Sequence, residues 1–193
     1  MTALSLPIPP EWFLEKLFGS GGPLKIENET GGRYTLNELQ QLVAVASADL
    51  SFKRHVLIRI TCEPPWSWKF GRLGFTKRLP HRTGECESVL VRLRVPPNRE
   101  YVSPPSETWY SPGLEKRLRR RGYLDRPEMR GVEVPLYVAA HEMCHAANVK
   151  FPVYRWSSLR VQYEAEADAH ALKVLEEVRS NPQIHPENVV SNP

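Results

Sequence analysis

His141-Glu142-Met143-Cys144-His145 places two imidazoles and a carboxylate within five consecutive residues. On a helix, positions four apart stand one above the other on a single face, so both histidines aim at one point. Such a point suits a transition metal that takes imidazole nitrogen, Zn²⁺ above all. Glu142 is turned about 100° from His141, near enough to reach a water on the metal without being a ligand. The chemistry implied is hydrolysis. The metal lowers the pKa of its water towards ~7, and Glu142 acts as general base, then hands the proton to the leaving group. The alternative is a partly exposed helix with two hydrogen-bonded histidines and a solvated glutamate.

A catalytic zinc needs three protein ligands and an open fourth position. The segment Tyr163-Glu164-Ala165-Glu166-Ala167-Asp168-Ala169-His170-Ala171 offers the third. Glu164 and Asp168 lie four apart on one face, which suits a ligand plus a carboxylate that orients one of the imidazoles. Glu166 is the rival, about 200° around the helix from Glu164, so the two cannot both face the metal. Only Glu164 has an Asp four residues on. If Glu166 sets the register, His170 becomes a further ligand; otherwise it is a proton donor or a surface histidine. The alternating alanines let this helix approach the first one closely. A tetrahedral oxyanion needs a donor besides the metal, and Tyr163, Tyr154, Arg155 and His170 are the nearby candidates.

These two segments resemble the zincin metallopeptidases, in particular the gluzincins, whose third ligand is a Glu on a later helix. Glu164 to Ala171 is similar to the E-x-x-A-D-x-x-A pattern of the HtpX and CAAX-prenyl-protease group, and to the E-x-E-A-N segment of ImmA/IrrE-like regulatory proteases. The resemblance spans Pro135 to about Leu175. It implies a zinc-dependent peptidase with His141, His145 and Glu164 as ligands, Glu142 as base and Asp168 behind a ligand histidine. It also implies a zincin-like fold, with a peptide or protein as substrate. The chain departs from the HtpX-like proteins, which are membrane-embedded, because no run approaches ~18 apolar residues.

The elements that must position these groups follow from local pattern. Pro135 opens the helix bearing the histidines and Pro152 closes it. Ser157 or Ser158 caps a long last helix reaching about Arg179, where Ser180-Asn181-Pro182 ends it, and 182–193 reads as a poorly ordered tail. Thr35-Leu36-Asn37-Glu38 is a capping box that starts a helix to about Asp49. Glu11 to Phe18 forms a short helix before Gly19-Ser20-Gly21-Gly22. Strands are expected at His55–Thr61, Leu73–Leu79 and Glu87–Val95. Arg92 and Arg94 share one face of the last of these, so it is expected at a sheet edge, where a peptide can add as a further strand. Pro64-Pro65-Trp66-Ser67-Trp68 puts two indoles in a loop, where they either line a cleft or fill core gaps. The order of elements predicts one α+β domain over 1–193, with 1–34 as an N-terminal extension.

Composition sets the remaining bounds. At 193 residues, 41% hydrophobic and 25% charged, the chain is long enough to bury a core and is no disordered polymer. Met1 to Pro10 lacks a basic n-region and an apolar run, which argues against a secretory signal. Cys62, Cys86 and Cys144 are odd in number and widely spaced, which argues against a disulfide framework and for the cytoplasm. Net charge is +4, with the excess in Lys116, Arg117, Arg119, Arg120 and Arg121, followed by Arg126 and Arg130. Ser111-Pro112 opens a helix there and Gly122 ends it. Its cations either form a solvated face or meet nucleic-acid phosphates, in which case the chain is a nucleic-acid-binding module or a DNA-associated protease.

Overall fold

A computed structural model describes residues 6–62, 74–80, 86–96, 102–103, 112–122, 126–148 and 158–181. In chain order these form α1 (Glu11–Phe18), β1 (Leu24–Glu29), α2 (Leu36–Ala46), β2 (His55–Thr61), β3 (Gly74–Pro80), β4 (Cys86–Arg94), β5 (Val102–Ser103), α3 (Pro112–Arg120), β6 (Met129–Arg130), α4 (Glu133–Ala147) and α5 (Ser158–Arg179). Helices and a small sheet therefore mix in one arrangement, as expected. Ser111, Trp66, Trp68, Tyr154, Arg155 and the 182–193 tail lie outside the described residues.

The main sheet runs β1-β2-β4-β3. Strands β1, β2 and β4 are parallel, and β3 returns antiparallel to β4. Alternation puts Val56, Ile58 and Ile60 of β2 on the buried face, in register with Val89, Val91 and Leu93 of β4. The link from β1 to β2 runs through α2, whose capping box closes as the sequence predicts. Thr35 Oγ1 accepts from Glu38 N at 3.2 Å and Glu38 Oε2 accepts from Thr35 N at 2.8 Å. The helix stops at Ala46, before Asp49, which sits at φ 64°.

One expectation needs correction, and one element is new. Strand β4 is interior, paired on both sides, so its arginines mark a wet face and not an edge. Residues 24–29 are a strand, although Leu-Lys-Ile-Glu-Asn-Glu reads as mostly polar. Arg59 of β2 explains those acids, reaching Glu27 at 2.8 Å and Glu29 at 3.0 Å across the ladder. Within the expected N-terminal segment, Leu17, Leu24 and Tyr34 belong to the main core.

Helix α4 is the centre of the molecule. Every residue from Val134 to Ala146 is buried, because α4 touches α2, α5, β3 and β4. Helix α5 runs antiparallel to it. Arg179 Nε, near the end of α5, pairs with Glu133 Oε1, at the start of α4, at 2.7 Å. Ala165, Ala167 and Ala171 of α5 are buried, while Ala169 faces solvent.

Candidate metal centre

The antiparallel α4–α5 pair brings His141, His145 and Glu164 together. His141 Nε2 lies 3.1 Å from His145 Nε2 and 3.3 Å from Glu164 Oε2, and His145 Nε2 lies 3.5 Å from the same oxygen. Three donors sharing one tetrahedral ion at about 2.0–2.2 Å stand about 3.3–3.5 Å apart, so the arrangement fits a single metal ion. Both histidines are buried and Glu164 nearly so. Two imidazoles and one carboxylate leave a fourth position for water or substrate, as in a catalytic site.

Asp168 stands one turn beyond Glu164 and backs the His141 ring. Its Oδ1 lies 3.0 Å from His141 Nδ1 and accepts from the Tyr137 hydroxyl at 2.8 Å. A carboxylate there holds the proton on Nδ1 and leaves Nε2 to face the cluster. Arg126 Nη2 reaches both Asp168 oxygens at 3.4 Å. Its Nε lies 3.3 Å from the Tyr137 oxygen, and its guanidinium stands 5.6 Å from the centre of that ring. The Arg126 side chain is 7% exposed, so it is not part of the basic run with which its sequence position groups it. A buried cation here offsets a buried anion.

These contacts set the charge states. Burial alone would lower the His141 pKa, yet the hydrogen bonds to Asp168 and Glu164 push it up to about 10. Burial would raise Glu164 and Asp168, but His141 beside both, His145 beside Glu164 and Arg126 beside Asp168 hold their carboxyls below the usual range. Burial and the Asp168 charge raise the Tyr137 hydroxyl, which therefore serves as a donor and not as an acid.

Glu142 is buried on the flank of α4 that meets the sheet. The Thr76 hydroxyl on β3 lies 2.7 Å from Glu142 Oε2 and 3.1 Å from the Glu142 backbone oxygen. Gly74 passes so close that a Cβ there would fall 2.5 Å from Glu142 Cγ. Absence of a side chain at Gly74 is thus a condition for this carboxylate position.

The other sequence candidates fall elsewhere. Glu166 is exposed and accepts from Gln162 Nε2 at 2.8 Å on the outer face of α5. His170 turns to the end of α2, with Nε2 3.1 Å from the Ala46 oxygen, and is not brought into the cluster. Tyr163 is half-buried beside Glu164 in sequence. The Cys144 thiol is pushed up to about 11, by burial first, and contacts Asn148 Nδ2 at 3.6 Å. It is not part of the His141, His145 and Glu164 group.

Sequence reasoning missed Tyr137, Thr76 and Gly74, and misassigned Arg126. Tyr137 lies four residues before His141, so its place on the same helix face was readable. Contacts of Thr76, Gly74 and Arg126 depend on long-range packing that no local spacing encodes. Comparison of the chain with protein families, with curated proteins and with solved structures gives no match.

Proposed function

We propose that this chain is a zinc-dependent metallopeptidase of the zincin kind, hydrolysing peptide bonds with Glu142 as general base. The carrying observation is the convergence of His141, His145 and Glu164 within metal-sharing distance, with the buried Glu142 carboxylate on the adjacent flank of α4. Zinc, when bound, supplies a Lewis acid and a water of lowered pKa. The protein's residues supply the rest. His141 and His145 present their Nε2 atoms, and Asp168 keeps the His141 ring in the required tautomer. Glu142 takes a proton from the attacking water and delivers it to the leaving amine. Thr76 holds the Glu142 side chain in place.

Strand β3 ends the main sheet on the side of Glu142. It carries no further strand among the described residues, so an extended peptide can add along it and pass the metal centre. This role moves to β3 from Glu87–Val95, whose edges are both occupied. Tyr163 is the remaining described candidate for the oxyanion donor, since His170 is engaged with α2.

Hydrolysis of fluorescently labelled, denatured casein by the zinc-loaded protein tests the proposal. The native chain is expected to cleave, and Glu142→Gln to retain zinc while losing turnover by about 10²–10⁴-fold. No cleavage by zinc-loaded native protein, or an undiminished rate in Glu142→Gln, would contradict it.

A further inference from the structure

We infer that the exposed cationic side of α3 binds the phosphodiester backbone of a duplex nucleic acid, independently of the metal centre. Helix α3 divides into three stripes at about 100° per residue. Leu114 and Leu118 form the first, and with Val161 of α5 they make a small buried cluster. Glu115 and Arg119 form the second, paired at 2.9 Å. Lys116, Arg117, Arg120 and Arg121 form the third, a contiguous and exposed arc of about 140° on the other side of the apolar seam. The helix's one acid, Glu115, sits on the far flank, where it pairs with Arg119.

Arg117 and, one turn on, Arg120 and Arg121 also line, together with Val161, a hollow of about 300 Å³. Guanidinium forks match phosphate oxygens in pairs and stay charged at any physiological pH. Four cations within about 8 Å of helix suit a ligand of high linear charge density, and a duplex carries one negative charge per about 1.7 Å. A membrane surface fits less well. An interfacial helix needs an apolar face to insert, and both leucines of α3 are spent on α5. Since such contacts reach phosphates and not base edges, binding is expected to be indifferent to sequence.

The test is fluorescence anisotropy of the full-length chain with two unrelated labelled DNA duplexes between about 50 and 200 mM salt. About four neutralised phosphates give a slope of log affinity against log salt near about −3.6. The variant Arg117→Gln/Arg120→Gln/Arg121→Gln should bring the slope to about −0.9 and weaken binding more than tenfold at low salt. Arg119→Gln, on the other flank, should leave both unchanged, and matching thermal midpoints would show that the variants fold. Binding absent at low salt, or equal in native and triple variant, would overturn the inference. So would displacement of the duplex by phosphatidylserine vesicles or polyglutamate at equal charge concentration.

Discussion

Thr76 Oγ1 stands 2.7 Å from Glu142 Oε2 and 3.1 Å from Glu142 O, so one hydroxyl on the sheet's outer strand is within reach of both the carboxylate and the backbone oxygen of Glu142. The single hydroxyl proton serves one of these acceptors at a time. Either way, the contact limits where the carboxylate can swing. Hydrogen bonds to charged groups contribute about 1.5–3 kcal/mol. Thr76→Val is therefore expected to lower kcat roughly 10- to 100-fold with zinc content unchanged, and Thr76→Ser to restore most of it. Steady-state kinetics on labelled casein would decide; a native kcat in Thr76→Val removes the positioning role.

Gly74 makes the complementary contribution by leaving space. Its Cβ would meet Glu142 Cγ at 2.5 Å and Val138 Cγ1 at 3.0 Å. Gly74→Ala should cost about 1–3 kcal/mol through overpacking, read as a lower denaturant midpoint at constant m-value. Because most of the clash is with Glu142, the cost should shrink in a Glu142→Ala background. Equal costs in both backgrounds would show that the close approach is not what destabilises the variant.

Much of this architecture was legible in the sequence where period and caps agreed. The α5 limits, the Thr35 capping box and β2 all carry strong local signals, and the spacing of Glu164 and Asp168 selects the face that meets α4. Strand β1 was not legible because its acids answer Arg59 on a neighbouring strand. The interior place of β4 was hidden for a related reason: exposed arginines report a wet face, not an unpaired edge. At the candidate metal centre, spacing named the groups that share helix faces. It was silent on Thr76 and Arg126, which arrive from strand and loop through tertiary packing.

Asp168 meets three donors at once, from His141, Tyr137 and Arg126, and removing it takes this shared acceptor from all three. Asp168→Ala breaks the buried ion pair with Arg126 and is expected to destabilise by up to about 3–5 kcal/mol. It also frees the His141 ring, which should weaken metal affinity about 10- to 100-fold. Denaturant unfolding of the metal-free protein reads the first effect and chelator competition the second. Native affinity in a folded Asp168→Ala protein would contradict the orienting role.

Metal affinity should also depend on pH in a definite direction. In the metal-free protein His141 has its pKa raised from 6.5 to about 10, so at neutral pH it carries a proton that a metal must displace. Apparent affinity should then rise about tenfold per pH unit on the acid side of that value, or about 100-fold between about pH 6 and pH 8. Competition against a calibrated chelator at several pH values tests this, and a flat profile would contradict the protonated resting state.

Elemental analysis of the protein purified without added metal tests the central claim most directly. Stoichiometric zinc is expected in the native chain and in Glu166→Ala, and its loss in His145→Ala and Glu164→Ala. Native protein that contains no metal and takes up none on adding Zn²⁺, or Glu164→Ala that retains it fully, would contradict the account.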